Sequence, residues 1–491
     1  MSEVSPPFRC RAFPERTAGV LLHLTALPGK GPVGSLGAGA RHFVDFLAQA
    51  GFSWWQVCPL GPTGFGDSPY QALSDFAGNP YLLDLEDLRH RGFLTNEEIH
   101  SLQRSVGENT DYGRLWHELR PALQKAAERG VEILQNHSAF REFCRNEESW
   151  LQDWCRFSAL RIQNQFMAPS LWTECKPDKE LYQQAAVLQF LFSEQWFALK
   201  QYAIHRGVKL IGDEPIYVSA DGCDLWAKPE LFQLDEWQRP KFVAGVPPDY
   251  FAEDGQLWGN PLYDWPRHAA DNFAWWQSRV HHDLRLFDVI RIDHFRGICD
   301  YWSIPADAPN ARQGEWREGP GIAFTQALGD LPLVAEDLGL LSPGVDVLRK
   351  AAQLPGMAVL QFGFSNPAEN PHHPANITPD RIVYTGTHDN DTVEGWMKTL
   401  SGEEQRHLHE ALGHIHHPAK DLAQAALDSP GVCAIIAAQD LLELGPEARF
   451  NTPGNPQGNW RWRMTDDQLA HLFTQVEEWQ YRLVKSNRFN G

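Results

Sequence analysis

The 491-residue chain has no CxxC pair among its eight cysteines, no internal repeat and no low-complexity tract. It also lacks any apolar run near the ~18 residues that a membrane span needs. Cysteines scattered at 10, 58, 144, 155, 175, 223, 299 and 433 outline neither a disulfide framework nor a zinc site, and fit a reducing compartment. The first residues, MSEVSPPFRCRAFPERT, have neither the basic start nor the apolar core of a secretory leader, so the expected location is cytoplasmic. Positive charge is in short supply: 43 Lys and Arg stand against 63 Asp and Glu, a net −20. That excess would repel phosphate backbones and anionic lipid, so no nucleic-acid or membrane partner is expected, and a neutral ligand fits better. What the chain does have is a globular balance, 43% hydrophobic to 22% charged, and nineteen tryptophans. Indole faces pack against sugar rings as well as against a core, and both uses are open.

Eight short apolar segments end in polar or turn residues: 19–28, 53–62, 208–218, 288–295, 331–339, 357–364, 381–390 and 432–440. Between most of them lie helical patterns, as in 39–51, where Phe43, Phe46 and Leu47 recur at i, i+3, i+4. Strands alternating with helices predict an α/β fold with a parallel sheet, and eight such units predict a (β/α)8 TIM barrel. An open doubly wound sheet has the same periodicity. Two gaps are too long for single βα units, which predicts inserted subdomains after strands 2 and 3. The expected divisions are 1–63 for the barrel start, 64–205 for a mostly helical insertion and 206–218 for strand 3. An irregular lobe over the mouth, 219–287, and the remaining strands, 288–491, complete the chain.

Barrel chemistry sits where strands run into their C-terminal loops. Three strand ends carry carboxylates there: Asp293 in RIDHFRG, Glu336 in VAEDLG and Asp389 in TGTHDN. Retaining glycosidases need one carboxylate to attack the anomeric carbon and another, about 5–5.5 Å away, to protonate the leaving oxygen. Arg291 lies two residues before Asp293 and shares its strand face, where a fixed cation favours the ionised nucleophile. Glu336 is expected to have a raised pKa and to start as the acid. Asp389, beside His388, could bind ring hydroxyls and stabilise charge at the anomeric carbon. Other readings stand beside these. Arg291 and Asp293 could be a structural ion pair, Glu336 and Asp337 a solvated pair, and His294 and His388 ordinary hydrogen-bonding side chains. The acids together could also hold a divalent cation.

At these motifs the chain resembles the 4-α-glucanotransferases, or amylomaltases (disproportionating enzymes), of glycoside hydrolase family 77 in the α-amylase clan. The resemblance runs from GVLLHLTALPGKGPVGSLG to RFNTPGNPQGNWRWRM and is most specific at 61–82, 245–265, 291–297, 335–339 and 384–392. It implies transfer of a segment of an α-1,4-glucan to the 4-hydroxyl of an acceptor glucose or glucan, with retention, and malto-oligosaccharides as partners. It implies Asp293 as nucleophile, Glu336 as acid/base and Asp389 as transition-state stabiliser, with Arg291 and His388 on the same sugar. It further implies Ser68, Tyr70 and Asp213 on the donor side, Phe251 and Trp258 in a loop closing over the glucan, and Asn459 on a second loop meeting that lid. No metal and no organic cofactor are implied, and no oligomeric state. An α-glucan hydrolase and a non-catalytic glucan-binding barrel are the rival readings.

The chain departs from the family pattern in three places. LHLTALP has Leu24 and Ala26 where a proline and a serine are usual, and Phe65 stands where some members carry a tyrosine at a remote glucan-binding groove. In DEPIYVSADGCDLW, Glu214 replaces the usual leucine, so an extra acid sits beside Asp213.

Overall fold

All eight apolar segments become strands of one parallel sheet in the computed structural model, which describes residues 10–64, 66–103, 107, 109–248, 253–339, 342–455 and 457–489. The strands are β1 (Thr17–Leu21), β2 (Trp54–Gln56), β3 (Lys209–Pro215) and β4 (Val289–Asp293), then β5 (Leu333–Ala335), β6 (Gly356–Val359), β7 (Arg381–Tyr384) and β8 (Cys433–Ala437). Consecutive strands pair in parallel from β1 to β5 and from β6 to β8, and β8 returns to β1 with Thr17 opposite Cys433. The ring closes between β5 and β6, where Ala335 N–H donates to Pro355 O at 2.9 Å. The fold is therefore the (β/α)8 barrel.

Period-two alternation decides which side chains enter the barrel. Leu21, Trp54, Ile211, Val289, Val334 and Ile435 fill its interior, with Phe13 edge-on to Trp54 at 4.8 Å beneath them. The opposite phase, including Val20, Trp55, Leu210, Ile290 and Ile436, packs outward into the helical layer. Gly19 sits where a Cβ would lie 2.5 Å from the Trp54 Cβ, so this position yields its space to the indole across the register. Carrying the inward phase to the strand ends places Asp213, Arg291, Asp293 and Glu336 at the mouth.

The segment between β2 and β3 is dominated by helices. The longest, Lys179–His205, is N-capped by Asp178 and packs on Arg120–Leu134 and Glu148–Gln163 before leading into β3. Beyond β3, strands Phe242–Val246 and Gln256–Pro261 form an antiparallel pair. Asp300–Pro305 and Glu315–Glu318, from the β4-to-β5 connection, extend that pair to four strands. One face of this small sheet rests on the barrel: Asn260 donates to Val218 O at 2.8 Å, and Trp258 meets His294 edge-on at 4.9 Å. Among the described residues, no helix is long and apolar enough to cross a membrane.

Candidate active site

Arg291 is the centre of the mouth. Its side chain is only 4% exposed, and its Nη1 donates to both oxygens of Asp213 at 2.6 Å while Nη2 reaches Asp293 Oδ1 at 2.8 Å. Burying a guanidinium is tolerable here because two carboxylates and the Met357 sulfur surround it. Asp293 keeps 28% of its side chain exposed, so the arrangement is an ion pair with one partner open to the mouth. Burial pushes the Asp213 carboxyl up, opposed by the Arg291 charge.

Tyr70 ties three loops together. It follows Ser68, whose hydroxyl accepts from Tyr70 N–H at 3.2 Å as the cap of a short turn at Pro69–Gln71. The Tyr70 hydroxyl donates to Asp213 at 2.7 Å and lies 3.0 Å from His388 Nδ1, and its ring stacks on His388 at 4.6 Å. If the hydroxyl's single proton goes to Asp213, Nδ1 of His388 is the hydrogen-bearing nitrogen. Across the mouth, Glu336 is buried, with its Oε2 accepting from His294 N–H at 2.7 Å and its Oε1 from Leu338 N–H at 2.9 Å. His294 adopts the left-handed φ of 55°, and this turn directly after Asp293 aims its amide at Glu336. Burial first, and then the Asp293 charge, push the Glu336 carboxyl up to about 7 against the pull of Arg291. Burial lowers the His294 imidazole to about 4, so that ring is neutral. Asp337 plays a different part: it points outward and pairs with Arg349 and Arg381 while accepting from Met357 N–H, which pins β5 to β6.

Asp389 closes the group. His388 Nε2 lies 3.4 Å from its Oδ1, and the same oxygen accepts from Asn451 at 2.6 Å. The structure thus gathers Ser68, Tyr70, Asp213, Arg291, Asp293, Glu336, His388 and Asp389 around one opening. Trp258 stands over it on the lobe, its indole N–H bonded to Gln256. Asn459 is set apart: its amide braces its own loop through Thr452 and Asn455. Phe251 and Phe65 lie outside the described residues. Sequence reasoning missed three neighbours: Trp460, whose ring lies 5.7 Å from both Tyr70 and His388, and the Asp389 contacts Arg449 and Asn451. All three fall within or beside RFNTPGNPQGNW, so the motif was visible but not which of its side chains turn inward. Among the described residues, no group of three or more His, Cys, Asp and Glu side chains is disposed to hold a metal ion.

Glu214 has the opposite strand phase and leaves the mouth. It pairs with Arg279 of the helix Ala274–Leu286, which also binds Asp75 at 3.2 Å, and Asp224 accepts from Asp75 N–H at 3.0 Å. Three buried acids share one buried guanidinium. Burial accordingly pushes Asp75 and Glu214 up to about 7 and Asp224 up to about 8. An acid raised in the folded state contributes most below its unfolded value, about 4.3, and that stability is lost as pH rises to about 7. Glu214→Leu, which restores the usual family residue, is therefore expected to raise stability more at pH 8 than at pH 5, by about 2 kcal/mol. Denaturant melts at the two pH values measure this, and an equal change at both would refute it.

With this geometry in place, comparison with known proteins is direct. The glycoside hydrolase 77 model, described as 4-alpha-glucanotransferase, matches residues 22–469. A 4-alpha-glucanotransferase of Thermus thermophilus is 43% identical over 483 residues, covering 93% of this chain and 96% of that protein. A 4-alpha-glucanotransferase of a Synechocystis strain is 41% identical, covering 93% and 95%. The amylomaltase of Streptococcus agalactiae, solved in complex with acarbose, superposes with a TM-score of 0.92 at 34% identity, covering 97% of this chain and 100% of that one. With a family model spanning most of its length and relatives this similar along almost all of theirs, the chain belongs to the 4-alpha-glucanotransferase family.

Proposed function

We propose that this enzyme moves a segment of an α-1,4-glucan onto the 4-hydroxyl of an acceptor glucose or glucan by retaining double displacement. The observation that carries the reading is the pairing of Asp293 with Arg291 at 2.8 Å opposite a buried Glu336 raised to about 7. In the first half-reaction an Asp293 oxygen attacks the anomeric carbon, the glycosidic C–O bond breaks, and the departing oxygen takes the Glu336 proton. In the second, Glu336 takes the proton of the acceptor's 4-hydroxyl, and that oxygen displaces Asp293 from the anomeric carbon. Asp389 and His388 hold ring hydroxyls as positive charge develops, and Tyr70, Ser68 and Asp213 line the donor side. Trp258, on the strand Gln256–Pro261, covers the bound glucan, and Asn459 belongs to a second loop at the mouth. Malto-oligosaccharides are the proposed substrates, supported by the names of the relatives and the acarbose bound to the Streptococcus agalactiae neighbour. Eight unpaired cysteines fit a cytoplasmic, reducing setting, and the net charge of −20 argues against nucleic-acid and membrane partners.

Incubation with maltotriose, without metal or cofactor, tests the reading by chromatography of all products. The expected result is a ladder extending above three sugars with little net gain of reducing ends. Shorter products alone, with reducing ends rising in step, would make water the acceptor and the enzyme a hydrolase. Unchanged maltotriose would leave only a binding protein.

A further inference from the structure

The side chain of Asp389 is 46% exposed at the exit of β7, where a free carboxylate would sample several rotamers. A cross-tie from the loop after β8 restrains it. Arg449 donates through Nη2 to Asp389 O at 2.7 Å and through Nε to Asn451 O at 2.8 Å, so one planar guanidinium fixes both backbones. Asn451 N–H donates to His388 O at 3.2 Å, and its amide Nδ2 holds Asp389 Oδ1 at 2.6 Å. With Oδ1 occupied by Asn451 and faced by His388, Oδ2 is the oxygen left to take a sugar hydroxyl. The same residue begins the turn in which Thr452 N–H bonds Asn459 Oδ1 at 3.0 Å, and Trp460 N–H returns to Phe450 O at 2.6 Å.

We propose that Asn451, itself held by Arg449, is a positioning residue for Asp389: it selects the carboxylate rotamer used in the transition state and anchors the 452–459 loop to it. The inference rests on the glucanotransferase reading and deepens it. Asn451 acts as a donor to a carboxylate, so an aspartate in its place would confront Asp389 when ionised and replace the lost donor when protonated. The groups facing that position are Asp389, His388 and Arg449. The first favours the proton, and the two cationic or polar neighbours oppose it.

Wild type, Asn451→Asp and Asn451→Ala are compared on maltotriose from pH 5 to pH 8, with a melting curve for each. Asn451→Asp is expected to lose about 10- to 100-fold in kcat at pH 7.5 and to regain most of it relative to wild type near pH 5.5. Asn451→Ala is expected to be depressed by a similar factor at every pH, with a melting temperature close to wild type. Recovery on acidification is not the behaviour of a merely loosened loop. An aspartate variant with undiminished kcat at pH 7.5, or with the same deficit at every pH, would overturn the proposal. Asn451→Ser guards against an aspartate variant that does not fold, and an unchanged kcat there would also overturn it. If wild type lengthens maltotriose and these variants match it, this inference alone fails; a wild type that leaves maltotriose unchanged overturns both readings.

Discussion

Asp293→Asn is expected to yield a folded protein that binds maltotriose and turns it over at least about 10⁴-fold more slowly than wild type, since no carboxylate remains to form the covalent intermediate. The fold should survive because the asparagine carbonyl can still accept from Arg291 Nη2, and because Arg291 keeps its two bonds to Asp213. The cation is not orphaned, which is the usual reason that breaking a buried pair is severe. Melting temperature and maltotriose affinity by calorimetry should therefore stay near wild type while the chromatographic ladder disappears. A correctly folded variant retaining more than a few per cent of turnover would remove Asp293 from the nucleophile's place.

Glu336→Gln should leave less than about 1% of wild-type turnover on maltotriose, the size expected for losing a positioned general acid. The pH profile carries the finer test. Burial and the Asp293 charge push Glu336 up to about 7, so the protonated form that begins the reaction is present below that value and is lost above it. Wild-type turnover should accordingly fall on the alkaline side of about pH 7, and the glutamine variant, with nothing to deprotonate there, should lose that limb. An α-maltosyl fluoride donor sharpens the distinction, because fluoride departs with little protonation. The variant should release fluoride at a rate much closer to wild type than its rate on maltotriose. An alkaline limb that persists in Glu336→Gln would assign it to another group. The substitution also costs some stability, about 1 kcal/mol, because Glu336 accepts from two backbone amides and a glutamine can accept from only one through its oxygen.

The two predictions are linked through the mouth's charge. The Asp293 carboxylate is part of what keeps the proton on Glu336, so neutralising it in Asp293→Asn lets Glu336 release its proton at lower pH. Arg291 works in the opposite direction on Glu336. Burial and the Asp293 charge thus hold a proton on Glu336 against the pull of Arg291, which supplies the acid that double displacement needs at its start.

The order of the eight strands and the inward phase of the acids were legible in the sequence, because both follow from local rules. Apolar runs buried on both faces mark parallel strands, and a period of two carries Val289 to Arg291 to Asp293 on one face and sends Glu214 to the other. The strand-end pattern supplied Asp389 with its neighbour His388, and motif resemblance supplied the donor-side residues without any geometry. Tertiary structure alone decided the rest. The Tyr70 hydroxyl meets Asp213 and His388 across separations of 143 and 318 residues. Glu336 takes its backbone donor from the left-handed turn at His294, and Asn451 reaches Asp389 from a different βα loop. No periodicity encodes such contacts, since they depend on how the ring of strands closes and on loops whose paths are set by packing. The raised pKa of Glu336 was expected from its role as the acid, but its cause lies with them, because desolvation is a property of the assembled mouth rather than of the residue that titrates.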